Sequence, residues 1–311
     1  MKRRRRRHQK RKSSLNISKI LLIIASLITL VLLFTVLKKN NIIFSSQSTN
    51  QSQQETSSSK TATSTPSSKA TTENSKSDVS WVKQENDVTF PILMYHAIHI
   101  MAPEEAENAN LIVAPDVFES HIKRLSEEGY YFLTPEEAYK VLSENVLPND
   151  NPKIIWLTFD DSIWDFYDEA YPILTKYNAK ATNNVITSTV GNNGSLSLDQ
   201  MVEMKGNGMA FEDHTTTHPD LSVSSTEAQT AELEDSKDYL DSSLSQDTIA
   251  VAYPSGRYTD TTLQIAESLG YKLGVTTNEG LASRSDGLLS LNRVRILPTT
   301  TADSLLASIT Q

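Results

Sequence analysis

The sequence of 311 residues contains no cysteine. That excludes a disulfide scaffold, a thiol nucleophile and any thiolate-bound zinc or iron–sulfur centre. Glycine and proline are scarce, at ten and eleven residues, so a collagen-like chain and a Pro/Gly low-complexity chain are both excluded. Aromatics make up 7% of the chain and hydrophobic residues 38%, enough for a core but little for a bundle of membrane helices. Long apolar runs are reduced to one, Ile20 to Leu37, eighteen residues without a charge. Acidic side chains are missing from residues 1–39, which hold twelve of the 29 basic ones. The other 17 basic residues face all 38 acids, so the net charge of −9 combines a +12 head with a −21 body.

The apolar run follows a basic head and is itself followed by Lys38, Lys39, Asn40 and Asn41. At about 1.5 Å per residue it reaches roughly 27 Å, just enough for a bilayer core. A cleavable signal peptide has a shorter apolar region ending in small residues; here the run is long and two lysines follow. The basic flank predicts a cytoplasmic N-terminus. The expected layout is a basic cytoplasmic head over 1–19, a transmembrane anchor over 20–37 and a linker over 38–80. Of the 36 residues 45–80, 26 are Ser, Thr, Gln or Asn, with no glycine and no aromatic. Such a composition buries too little surface to offset ordering and reads as a solvated tether. A nucleic-acid partner is not expected, because the Arg run leads into a membrane span and the rest is acidic.

Residues 81–311 suit one α/β domain. Strands are predicted at 88–95, 154–159, 182–186, 209–212, 248–252, 273–276 and 292–296. Helices are predicted at 115–128, 135–143, 162–177, 197–205, 225–244, 259–269 and 302–310. Thr134, Pro135, Glu136 and Glu137 form a helix-start signal, with a cap, a proline in the first turn and acids at the dipole's positive end. Repeated strand-then-helix order implies a parallel sheet or a β/α barrel.

Polar clusters follow four of these strands. Tyr95-His96 ends the first, Asp160-Asp161 the second, and Glu212, Asp213, His214 and His218 the fourth, while Tyr253-Pro254-Ser255-Gly256-Arg257 follows the fifth. In β/α folds the carboxyl ends of strands converge on one face, where ligands and reacting groups gather. An Asp-Asp pair taken alone commonly caps a helix, and His-x3-His alone is often coincidence. Together with Asp161, however, His214 and His218 supply two imidazoles and a carboxylate, a set that leaves a metal position open. His96, at a strand end, is the candidate general acid or base. His121, in the charged run His121-Ile122-Lys123-Arg124, is expected at the surface, and His99 in a loop with no evident partner. Trp164 is a candidate for sugar stacking, whereas Trp156 is expected in the core.

These residues resemble the NodB-like polysaccharide deacetylases, carbohydrate esterase family 4. Thr158-Phe159-Asp160-Asp161, His214-Thr215-Thr216-Thr217-His218-Pro219 and Tyr253-Pro254-Ser255-Gly256 carry the likeness, which covers about residues 90–296. The resemblance implies a distorted (β/α)7-type barrel and a divalent metal, usually Zn2+, held by Asp161, His214 and His218. Asp160 would be the general base, and Tyr253, Pro254 and Ser255 would line the substrate and oxyanion side. The implied reaction hydrolyses an N-acetyl group from a hexosamine polymer. Two positions depart from the common pattern. Ala252 stands where many members carry an arginine, and no histidine follows His218 to serve as the acid. His96 resembles the N-terminal histidine of a branch that includes exopolysaccharide deacetylases. Arg293 resembles that branch's late arginine, with Arg295 as the fallback on the same strand face. The whole reading is a membrane-anchored, extracytoplasmic N-deacetylase of peptidoglycan or poly-N-acetylglucosamine. A non-catalytic carbohydrate-binding wall protein and an esterase for xylan-type O-acetyl groups are the competing readings.

Overall fold

The computed structural model describes residues 79–310. Seven parallel strands build the centre: β1 Ile92–Tyr95, β2 Ile154–Phe159, β3 Thr182–Val185, β4 Ala210–Asp213, β5 Ala250–Ala252, β6 Leu273–Glu279 and β7 Leu291–Arg295. Each lies beside its neighbour in sequence, and β7 pairs with β1, so the sheet closes into a barrel. The barrel is uneven, as the resemblance implied. β4 and β5 share one registered pair, Asp213 with Val251, and the register shifts between Val275 and Glu279 where β6 meets β7. Closure leaves these strands no free edge, which is how a parallel sheet avoids edge-to-edge association.

Parity along each strand divides the core in two. On β2, Ile155, Leu157 and Phe159 pack outward with Phe118, Ile122, Leu125, Leu240 and Leu305 from surrounding helices. Ile154 and Trp156 belong to a second cluster with Ile92, Ala250, Ala252, Leu273, Val275 and Leu291. Trp156 is fully buried, as its sequence context predicted, and its Nε1–H donates to Thr182 Oγ1 at 2.7 Å.

The helices are α1 Pro115–Glu127, α2 Pro135–Glu144, α3 Tyr171–Lys176, α4 Leu198–Gly206, α5 Thr226–Leu244, α6 Asp260–Ser268 and α7 Ala302–Ile309. Helix α2 starts as its sequence predicts: Thr134 Oγ1 accepts the Glu137 N–H, and the Glu137 carboxylate accepts the Thr134 N–H. Two expectations are corrected here. No regular helix starts at Ser162, because Asp161 and Ser162 have φ of 75° and 50°. The chain reaches α3 only through a π-helical turn at Phe166–Ala170. His121 is buried rather than at the surface. It lies on the α1 stripe Phe118, His121, Ile122, Leu125, and it bonds Tyr95 Oη at 3.1 Å and Thr300 O at 2.8 Å. Sequence reasoning also passed over two short antiparallel pairings, Trp81–Lys83 with Val146–Pro148 and Thr89–Phe90 with Ala282–Ser283. Among the described residues no helix is long and apolar enough to cross a membrane. The expected anchor at 20–37 lies outside them.

Candidate active site

The top of the barrel gathers a polar group from every strand. His96 follows β1, Asp160 and Asp161 follow β2, Asn184 is in β3, His214 and His218 follow β4, and Ser255 follows β5. Thr277 comes from β6, and Arg293 and Arg295 from β7. A cavity of about 220 Å³ is lined by His96, Asp160, Asp161, His214, His218, Ser255, Thr277 and Arg295, with Leu111 on its rim. Larger hollows lie on other faces. One of them, about 550 Å³, is bordered by residues 82–89, Leu147, Asp150 and Pro152 and contains no histidine. The site is thus set by its chemistry rather than by volume.

Asp161, His214 and His218 each turn one ligand atom to a common point, all within 4.8 Å of one another. Asp161 Oδ1 lies 3.3 Å from His214 Nε2 and 3.6 Å from His218 Nε2. Donor atoms about 2.0–2.2 Å from a shared tetrahedral zinc would be separated by similar distances. His214 Nδ1 is 2.6 Å from the Ala252 carbonyl, which can only accept, so Nδ1 carries the proton and Nε2 presents its lone pair. The left-handed backbone of Asp161 (φ 75°) and His218 (φ 60°) turns both side chains off the strand ends toward this point. His214 and His218 occupy a loop rather than a helix, as the neighbouring Pro219 predicted. The residues therefore fit a divalent ion. Ala252 offers no guanidinium, and the one that meets Asp160 arrives from β7 instead.

Asp160 is nearly fully buried and is held from two sides. Arg293 donates Nη1–H to Oδ1 at 2.9 Å and Nη2–H to Oδ2 at 2.7 Å. Asn184 donates Nδ2–H to Oδ1 at 2.7 Å. Burial alone would raise the Asp160 pKa, but Arg293 and His214 overcome it and hold the carboxyl well below the usual range. Arg293 is itself buried and fixed by Thr276 O and Thr158 Oγ1. Arg295 shares its strand face and reaches the cavity, but its guanidinium lies 4.0 Å from Glu279 instead. His96 Nε2 is 4.0 Å from Asp160 Oδ2, and burial lowers its pKa against the pull of Asp160 and Asp161.

Two parts of the sequence reading are corrected. The Tyr253 side chain does not face the cavity: it is buried beside Tyr258, and its Oη–H donates to Leu289 O at 3.0 Å. Pro254 is buried as well, so of this trio only Ser255 lines the cavity. His99 is not without partners, since Nδ1 lies 2.6 Å from Asp165 Oδ2 and Nε2 lies 3.1 Å from Glu105. Asn184 was missed entirely. The available signal was the polar Asn183-Asn184 pair inside a short strand, where parity turns one of the two into the barrel.

Residues 148–274 match the family profile for polysaccharide deacetylase. YxkH of Bacillus subtilis (strain 168), provisionally named a polysaccharide deacetylase, is 40% identical over 235 residues, covering 75% of this chain and 81% of its own. The poly-β-1,6-N-acetyl-D-glucosamine N-deacetylase of Staphylococcus aureus (strain MRSA252) is 32% identical over 187 residues, covering 56% and 63%. The solved structure of the Streptococcus pyogenes deacetylase PplD in complex with acetate is 60% identical, with a TM-score of 0.70, and covers 73% of this chain and all of that one. The profile match contains Asp160, Asp161, His214, His218 and Ser255. His96, just after β1, and Arg293, on β7, lie outside it, at the pair of strands that closes the barrel.

Proposed function

The chain belongs to the polysaccharide deacetylase family, enzymes acting on the amide bonds of N-acetylated polysaccharides, and on that premise we propose that it is a metal-dependent N-deacetylase of N-acetylglucosamine polymers. The polymer is either peptidoglycan glycan or poly-N-acetylglucosamine; the name of the Staphylococcus aureus relative supports testing the latter first. The observation that carries the reading is the convergence of three metal-ligand side chains with a clamped aspartate and a histidine. The cavity size agrees with it. About 220 Å³ is smaller than the roughly 300–1,000 Å³ of drug-sized ligand sites, and suits an acetamido group entering from a polymer left outside.

Asp161, His214 and His218 would hold the ion, zinc first, which would polarise the acetyl carbonyl and lower the pKa of the attacking water. Asp160 has spent three of its roughly four acceptor positions on Arg293 and Asn184. The remaining one is on Oδ2, the oxygen nearest His96, and there Asp160 takes the water's proton. Its low pKa keeps it ionised but makes it a weak base, so the proton does not rest there. His96, held neutral at rest by burial, receives that proton and gives it to the departing amine, which cannot leave unprotonated. A backbone N–H at Ser255 stabilises the developing oxyanion.

Residues 1–39 support a location: a single-pass membrane protein with a cytoplasmic N-terminus and the catalytic domain outside the cytoplasm, reaching its polymer on the Ser/Thr/Gln-rich tether. The test is acetate release by the purified protein from peptidoglycan, poly-N-acetylglucosamine and acetylxylan, with chelator and with zinc restored. Release from an N-acetylated polymer, abolished by chelator and recovered with zinc, is the expected result. Release from acetylxylan alone would replace the amidase reading with an esterase, and no release from any polymer would end it.

A further inference from the structure

The small cavity leaves a problem: a polymer's other rings need support outside it. We propose that Trp164, backed by His99, is the platform of a sugar-binding subsite beside the metal cluster, stacking on a pyranose ring next to the one that loses its acetyl group. This rests on the deacetylase reading above and adds where the polymer lies. Trp164 follows Asp161 by three residues and His99 follows His96 by three, so each is within about 10 Å of chain from the site. Their rings stack on each other, with centroids 5.9 Å apart and planes at 23°. Trp164 is 39% exposed, so part of the indole remains open to a ligand.

The platform is built rather than loose. The Trp164 N–H donates to Gly194 O at 3.1 Å, and Ser162 O accepts from Leu196 N at 3.0 Å, so the backbone beneath the indole is tied to the 194–196 turn. His99 is held at both ring nitrogens, by Asp165 on one side and Glu105 on the other, and Asp165 Oδ2 also accepts the Ile98 N–H at 2.8 Å. Facing a carboxylate at each nitrogen, the ring donates from both, and a cationic imidazole beneath an indole is a favourable partner. Ile100 and Met101, which follow His99 in the chain, are exposed as well. A β-linked pyranose presents a face of C–H groups to the electron-rich indole face.

The test titrates pentamers of N-acetylglucosamine, β-1,6-linked and β-1,4-linked in separate arms, into the detergent-solubilised full-length chain by calorimetry. Trp164→Ala should weaken pentamer binding ~10-fold, about 1.4 kcal/mol, while Trp164→Phe stays within about twofold of wild type. Unchanged melting temperatures in both variants would separate lost binding from lost folding. Equal pentamer affinity in Trp164→Ala and wild type overturns the subsite, as does failure of wild type to bind either pentamer. Acetate assays on the same samples keep the two readings apart. A pentamer bound through Trp164 but never deacetylated sinks the enzymatic reading and leaves the subsite, whereas deacetylation indifferent to Trp164 does the reverse.

Discussion

Asp160 lies between a bidentate guanidinium and a carboxamide, and this fixes both its charge and the direction from which it can take a proton. Asp160→Asn keeps the shape but removes the acceptor, and its amide would face donors already in place. We expect it to retain the metal, measured by elemental analysis, while acetate release falls ~10²–10⁴-fold. Asn184→Ala removes one hydrogen bond to a charged group, worth about 1.5–3 kcal/mol, and should slow turnover ~10–100-fold at unchanged metal content. A near-normal rate for Asp160→Asn would remove it as the base, and one for Asn184→Ala would leave Arg293 as the sole positioning group. The two residues also differ in how visible they were. Asp160 stood out because paired carboxylates directly after an apolar strand need a partner. Asn184 did not, because only strand parity inside a closed barrel separates it from Asn183. His121 was misread for a related reason: its charged sequence neighbours masked its place in the stripe Phe118, His121, Ile122, Leu125.

At the scale of elements, the barrel strands and helices were readable because each alternates apolar runs with cap signals such as Thr134 and Ser225. The connections between them were not, since they depend on residues in left-handed backbone that side-chain type does not announce. Asp161, Ser162, Thr215, His218 and Ser255 all have positive φ, and all lie in the turns that aim the site. The turn after β5 offers a test. Gly256 has φ of +68°, and a Cβ there would collide with the side chain of Thr277, which lines the cavity beside Ser255. Gly256→Ala should therefore cost ~1–3 kcal/mol in stability by overpacking and move the Ser255 backbone off its position. Thermal melting and turnover should both fall. A variant that melts like wild type and turns over normally would show that this turn has slack.

For the molecule as a whole, folding is coupled to two acids behind the site whose charges are poorly paid for by their surroundings. Asp213 is buried at the end of β4 and accepts hydrogen bonds from Tyr271 Oη at 2.7 Å and the Thr215 N–H at 2.9 Å. Burial nevertheless pushes its pKa up to about 6, and burial raises buried Glu212 well above its ordinary value too. A carboxyl whose folded pKa is raised binds its proton more tightly folded than unfolded. Its stabilising contribution is complete below the unfolded value near 4 and is lost as pH rises through the folded value. Asp213 should thus make the protein less stable by ~2–3 kcal/mol between about pH 4 and 6, at 1.36 kcal/mol per unit. Asp160 acts in the opposite sense, but its depressed pKa places its loss at still lower pH, outside that window. Asp213→Asn resembles the protonated form, can still accept from Thr215, and leaves Tyr271 free to donate to Leu233 O at 2.9 Å. Denaturant unfolding in chelator, which removes the pH dependence of metal binding, should show a shallower decline between pH 4 and 6 for Asp213→Asn than for wild type. The slope remaining in the variant belongs to the other shifted groups, among them Glu212 and Asp165, whose raised pKa values act in the same sense, and His96, His121 and His218, whose lowered pKa values act in the opposite one. Parallel curves for the two proteins would mean that Asp213 titrates near its ordinary value and that its bonds to Tyr271 and Thr215 outweigh burial.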